Sequence, residues 1–190
     1  MKTRSFLTVM ALLAFFACNA QTPRSDKDAV LDNILTRASV RSFTSKAVEP
    51  EKVETMLRSG MAAPTAMNKQ AWHFVVVTDK TKLKAIQQYE SPLAIVVCGD
   101  TMKGKDLWIA DASLASENIL LTAHALGLGA VWTAVYPREE TIQNVRKTLQ
   151  LPDHLIPVNT IIIGYPAADP QVKDKWNPEN ISYNTYGGKK

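Results

Sequence analysis

Asp111-Ala112-Ser113-Leu114-Ala115-Ser116-Glu117-Asn118-Ile119-Leu120 runs on to Leu126 and then into Gly127-Leu128-Gly129-Ala130-Val131-Trp132-Thr133. From Trp108 to Leu126 the apolar residues fall on nearly every side: Ile109, Ala112, Leu114, Ala115, Ile119, Leu120, Leu121, Ala123 and Leu126. A helix that is apolar all round belongs in the centre of a core or at an interface. Gly127 is placed to end it, and Ala130 to Val135 reads as a strand. The two glycines therefore follow a helix and open a strand. A dinucleotide-binding fingerprint has the reverse order and a third glycine, so that reading is rejected. Gly127 reads as a helix cap and Gly129 as a position of close backbone approach.

Working outward, Val30, Leu31, Ile34 and Leu35 recur at helical spacing over Asp28 to Thr36, with Ser25 or Asp26 as cap. Thr44 to Val48 is a connector. Pro50 suits a first helical turn, and Val53, Met56, Leu57 and Gly60 mark one face of the helix that follows. Phe74 to Val77 is a strand, after which Asp79 or Thr81 caps a short helix through Ile86. Pro92 opens the strand Ala94 to Cys98, which ends in Gly99-Asp100. Pro137 to Leu149 forms an amphipathic helix on Ile142, Val145 and Leu149. The last strand, Val158 to Ile163, is closed by Gly164-Tyr165-Pro166. Ala167 to Lys190 is rich in Pro, Lys, Asn and Tyr and has no clear period. There are no internal repeats and no second domain.

The 190-residue chain starts with a short basic stretch, Met1 to Arg4, followed by a charge-free apolar run, Phe6 to Ala17. That is the layout of a secretory signal over residues 1–17, and the run is too short to span a bilayer as a helix. Two cleavages are open: before Cys18, leaving a cysteine for lipid attachment, or after Ala20 by the small-x-small rule. The organisation is then a signal at 1–17, a tether at 18–27 and one domain at 28–190, whose final 167–190 form an arm. Processing removes Lys2 and Arg4 but no acid, lowering the net charge from +4 to +2. The high isoelectric point thus gives no reason to expect a nucleic-acid partner. The expected location is outside the cytoplasm, periplasmic or as a membrane-anchored lipoprotein. Without Cys18 no intrachain disulfide can form, and Cys98, inside an apolar strand, reads as a small buried residue rather than a catalytic thiol.

Two constellations carry chemistry. Arg37-Ala38-Ser39-Val40-Arg41-Ser42-Phe43 sets two guanidinium groups four residues apart around a hydroxyl, a pattern suited to a phosphate dianion. Ala63-Pro64-Thr65-Ala66-Met67-Asn68-Lys69-Gln70 is a loop carrying two side-chain amides, suited to the edge of a planar heterocycle. Solvated charges at a helix end and an ordinary helix-to-strand loop are the bland alternatives. His73, His124 and His154 are scattered without metal-ligand spacing, and no order of Ser, His and Asp suggests acyl transfer.

In these residues, and in the helix and strand of 111–133, the chain resembles the nitroreductase family of FMN-dependent flavoproteins from about Ile34 to Tyr186. The resemblance implies an α+β fold: a mostly antiparallel sheet flanked by helices, in an intertwined homodimer with two FMN at the interface. It implies that Arg37, Ser39 and Arg41 bind the phosphate, that Pro64, Thr65, Asn68 and Gln70 line the flavin, and that Val131, Trp132 and Thr133 neighbour its ring. Gly164, followed by Lys173 and Lys175, is similar to the family's C-terminal phosphate element; many relatives have Arg where Lys175 stands. Tyr183 to Tyr186 resembles an arm that crosses to the partner subunit. Thr65 stands where the family usually has Ser, and Ala71 where it usually has Pro. The activity implied is two-electron reduction of a small-molecule acceptor, such as a nitroaromatic or quinone, with NAD(P)H as transient co-substrate. The chemistry rests on the cofactor, so no catalytic side chain is expected. Export would separate the protein from cytoplasmic nicotinamides, which suggests an extracytoplasmic electron donor. Two other activities remain open: another flavin reaction such as reductive dehalogenation or flavin breakdown, and a non-catalytic flavin-binding surface lipoprotein.

Overall fold

The structure, a computed structural model, describes residues 25–190. The signal segment, Cys18 and both cleavage sites lie outside the described residues. Contacts divide the chain into two compact units, up to Leu35 and from Thr36 to Lys190. The described part of the first is Ser25 and most of helix α1, Asp26–Thr36. The Ser25 hydroxyl accepts the Asp28 N–H at 3.1 Å and donates to the Asp28 carboxylate at 2.6 Å. Ser25 is therefore the cap, and the helix begins two residues ahead of Asp28.

The second unit contains α2 (Pro50–Met61), β1 (Trp72–Val77), α3 (Lys80–Ile86), β2 (Leu93–Asp100), the single turn α4 (Thr101–Gly104), α5 (Trp108–Ala125), β3 (Gly129–Ala134), α6 (Glu139–Leu149) and β4 (Leu155–Gly164). Pro50 occupies the first turn of α2 as its ring geometry favours. Asp79, not Thr81, caps α3, its side chain accepting the Lys82 N–H. The expected helix from Pro137 is shorter: Pro137 sits in the turn before α6, with Arg138 at the cap position.

The four strands lie in the order β1-β2-β4-β3, every neighbouring pair antiparallel. This is the expected α+β arrangement. All eight residues of β2 are buried because both faces of the sheet are covered. Met56 of α2 and Ile119 of α5 pack with Ile95 and Ile161 on one face. Val145 of α6 meets Val96 and Cys98 on the other. A strand covered twice reads as a continuous apolar run, which is what Leu93 to Cys98 is. Near the start of β4 the register shifts, with Val97 opposite Asn159 and Cys98 opposite Pro157. Pro157 has no N–H for a ladder and is tolerated at this bulge, so the strand extends further back than the expected Val158.

The two glycines of the opening stretch have different tasks. Gly127 takes φ +72°. The Leu128 N–H reaches back to the Ala123 carbonyl at 2.9 Å and that of Gly127 to His124 at 3.0 Å, a Schellman end to α5. At Gly129 an added Cβ would stand 2.7 Å from the Val40 Cβ, so only glycine lets the 37–43 segment lie against β3.

Candidate functional site

Residues 37–44 form an extended strap fastened at both ends. The Val40 N–H donates to the Ala130 carbonyl at 3.0 Å, and Ser39 bridges Ala130 in parallel sense. Phe43 bridges Pro166, the Thr44 N–H donates to Tyr165 at 2.8 Å, and the Ala167 N–H donates to Ser42 at 3.0 Å. Val40 is buried against Gly129. Side chains alternate along an extended segment, so Ser39 and Arg41 turn away from the core together. Arg41 donates to the Ser39 carbonyl and lies 5.9 Å from the centre of the Tyr89 ring. Arg37 places its Nε 3.5 Å from the Glu117 carboxylate of α5. Its terminal fork has no partner among the described residues. A cavity of about 210 Å³ opens beside Arg37, lined also by Val40, Leu120, His124, Leu128 and Pro166. Its other basic wall is His124, whose Nε2 lies 3.0 Å from the Thr36 hydroxyl.

β3 is the edge strand next to this strap. Ala130 turns its carbonyl to the strap, and two residues on Trp132 presents its own N–H and carbonyl to the same edge. Val131, between them, is buried and by the same alternation turns its backbone groups to Ile162 of β4, so it offers neither side chain nor free backbone at this edge. Trp132 is 40% exposed, so its side chain is not part of the core of this chain. The Thr133 hydroxyl donates to the Thr160 carbonyl at 2.7 Å and is already committed as a donor.

The loop after α2 bends sharply, with φ +51° at Met67, +53° at Asn68 and +50° at Gln70. Left-handed backbone costs on the order of 1 kcal/mol or more at such residues and persists only where neighbours impose it. Two hydrogen bonds do so. The Thr65 hydroxyl accepts the Gln70 N–H at 2.9 Å, and Asp111 Oδ1 accepts the Ala66 N–H at 3.0 Å. The Gln70 amide donates to Asn68 Oδ1 at 3.2 Å, so the two amides face one another on the exposed side, beside exposed Pro64. Loop and strap both touch α5, at Asp111 and at Glu117, about 9 Å apart along the axis at 1.5 Å per residue.

Gly164 ends β4 close against Pro92 and Phe43, where an added Cβ would stand 3.0 Å and 3.2 Å from them and fit only if they gave way slightly. Tyr165 beyond it anchors an ionic cluster. Its hydroxyl donates to Glu49 at 2.6 Å, the Lys52 ammonium donates to that hydroxyl and to the Leu126 carbonyl, and Lys46 lies 3.9 Å from the ring centre. The Tyr165 hydrogen bond, helped by Lys46, holds the Glu49 carboxyl down at about 2. Lys173 and Lys175 lie on the exposed arm, which carries exposed Trp176 and Tyr186, and no contact among the described residues joins these lysines to the strap. Strap, β3 and Gly164 are thus brought together; the 64–70 loop is linked to them through α5, and the two lysines stand apart. Cys98 is fully buried, and burial pushes its thiol up to about 12, far from a nucleophile at neutral pH.

The sequence reading missed Asp111, Glu117 and His124. A buried acid inside an apolar helix was the available signal for Asp111. Nothing local marks Glu117 or His124, whose roles come from segments far away in the chain.

A family model described as the Nitroreductase family matches residues 34–96 and 89–165. A protein from Methanothermobacter thermautotrophicus, provisionally named an NADH dehydrogenase/NAD(P)H nitroreductase, is 40% identical over 162 residues, covering 80% of this chain and 85% of its own length. A crystal structure from Bacteroides thetaiotaomicron bearing the same provisional name is 44% identical, with a TM-score of 0.80 over 83% of this chain and 98% of that one. The FMN-dependent nitroreductase structure from Clostridium difficile is 30% identical, with a TM-score of 0.77 over 82% of this chain and 99% of that one.

Proposed function

The chain belongs to the nitroreductase family, and from that premise we propose that it is an FMN-dependent oxidoreductase, accepting two electrons from a reduced nicotinamide or similar donor and delivering them to a small acceptor such as a nitroaromatic or quinone. FMN, when bound, supplies the hydride chemistry. The chain's own residues fit that group. The Arg37 fork and Arg41 offer paired guanidinium groups to a phosphate, with the Ser39 hydroxyl between them. The open backbone of Trp132 and the facing amides of Asn68 and Gln70 offer fixed donors and acceptors to a polar heterocycle edge. Because strap and strand are locked before any ligand arrives, their donors need little reorganisation to stabilise charge.

The observation that carries this reading is the strap: two arginines held at an edge strand by backbone bonds and by Val40 against Gly129. The cavity beside it, about 210 Å³, falls short of the roughly 300 Å³ at which ligand pockets usually begin. One chain therefore supplies only part of an enclosure, which supports a site completed by a second copy. Leu114 on α5 is 46% exposed, Met67 81%, and the arm leaves Trp176 and Tyr186 uncovered, as expected of surfaces a homodimer would bury. Export, with or without a lipid on Cys18, rests on the sequence of residues 1–20; it would make the donor a membrane or periplasmic reductant. Finding the unprocessed chain in the cytosol would remove that part.

The test of the activity is direct. The purified protein is expected to be yellow and to bleach when NADH or NADPH is added without oxygen, then to recolour with a nitroaromatic or quinone. A colourless protein that takes up no added FMN contradicts the reading.

A further inference from the structure

Asp111 is a carboxylate that helix α5 has no internal reason to contain. It is 2% exposed, sits among apolar residues, and has Oδ2 buried without a partner. A half-satisfied buried carboxylate costs stability, and an apolar residue of similar size would serve packing better. Its one bond leaves the core altogether: Oδ1 accepts the Ala66 N–H at 3.0 Å, at the head of the turn that carries Met67, Asn68 and Gln70 into left-handed conformations. Thr65 closes the same turn from the other side by accepting the Gln70 N–H. Without the Asp111 bond, the hydrogen bonds left to the turn among the described residues are its own: the Thr65 hydroxyl on Gln70, Asn68 N–H on Thr65, Lys69 N–H on Ala66 and the Gln70 amide on Asn68, none of which reaches α5.

The geometry points to Asp111 as the positioning residue of the site: it fastens the 64–70 loop to α5 and fixes where the Asn68 and Gln70 amides stand. This rests on the proposed reading of that loop as a flavin-lining element. Asp111 touches no ligand in this account; it acts through Ala66. Helix α5 also holds Arg37 through Glu117, so the same rod would set the spacing between amide loop and phosphate strap.

Three variants test it in the full dimeric protein, stripped of flavin and titrated with FMN while free-flavin fluorescence is followed. Asp111→Ala removes the acceptor and should weaken FMN binding at least about tenfold. Asp111→Asn keeps an acceptor oxygen in place and should rescue binding to within about threefold, which tells loop positioning from loss of charge. Ala66→Pro deletes the donor instead. Thr65 is already extended, φ −135° and ψ 149°, as a residue before proline must be, so this variant keeps the chain path and serves even where Asp111→Ala does not fold. It should weaken FMN as Asp111→Ala does, and the double variant should be no weaker than the worse single. Asp111→Ala or Ala66→Pro that binds FMN like the parent protein overturns the assignment alone. A parent protein that binds no FMN overturns the reading of the loop, and the assignment with it.

Discussion

The strap 37–44 and the arm 167–190 are both implied to hold one phosphate, yet one chain treats them in opposite ways. The strap has three backbone bonds, to β3 and to the segment just after β4, a buried Val40, and Gly129 emptied of a side chain to receive it. Past Ala167, whose N–H donates to Ser42, the arm's hydrogen bonds among the described residues are local: the Asn177 side chain caps one 3-10 turn at Pro178–Asn180, and the Gly188 carbonyl accepts from Tyr183. Lys173, Lys175 and Trp176 are exposed. The strap is rigid because burial within its own chain offsets its ordering entropy; the arm has no such compensation. On the proposed reading, half of the phosphate site is built by folding, and the other half awaits an event that covers the arm, for which a second copy is the proposed agent.

The largest expected effect breaks the built half. Arg37→Ala with Arg41→Ala should lower FMN affinity about a hundredfold or more, since each charge-assisted contact is worth roughly 1.5–3 kcal/mol. Equilibrium dialysis against FMN measures it, and near-parental binding would move the phosphate to the arm. Ending the chain at Ala167 should turn a dimer into a monomer in sedimentation while leaving the far-ultraviolet dichroism of the sheet in place. Gly129→Ala drives a methyl to 2.7 Å from Val40. It should cost about 1–3 kcal/mol in denaturant unfolding, and should weaken FMN through the displaced strap. Lys175→Arg should tighten FMN by about threefold if the arm reaches the phosphate, because a guanidinium can bind it bidentately. No change would leave the arm out of the site.

The smallest effect is on acid stability. The Glu49 carboxyl is held at about 2, below its ordinary 4.5, chiefly by the Tyr165 hydroxyl. A depressed acid stabilises the folded state fully above its unfolded value and loses that contribution as pH falls from about 4.5 towards 2. Glu49→Gln should therefore flatten the melting-temperature profile of the parent in that window and converge with it in shape above pH 5.

Much of this was legible in the sequence. Pro50 fixed the start of α2, Gly127 the end of α5, and the unbroken run Leu93 to Cys98 marked a strand covered on both faces. Arg37, Ser39 and Arg41 could be read together because they lie close in sequence. What escaped was carried by distant pairs. Ala66 and Asp111 are 45 residues apart, and no local pattern says that an acid in an apolar helix reaches a loop amide. The helix expected from Pro137 failed for a local reason, since the chain is still turning at Tyr136-Pro137 and first becomes helical at Glu139. Pro157 concealed the beginning of β4, because a strand that tolerates proline does so through a bulge formed with β2.

Sedimentation of the purified protein, followed at once in the peptide and visible flavin bands, tests the central claim most directly. The account predicts a single boundary at twice the chain mass, carrying one FMN per chain and losing its colour when Arg37 and Arg41 are both replaced. A colourless boundary at the mass of one chain, unchanged by added FMN, would contradict it.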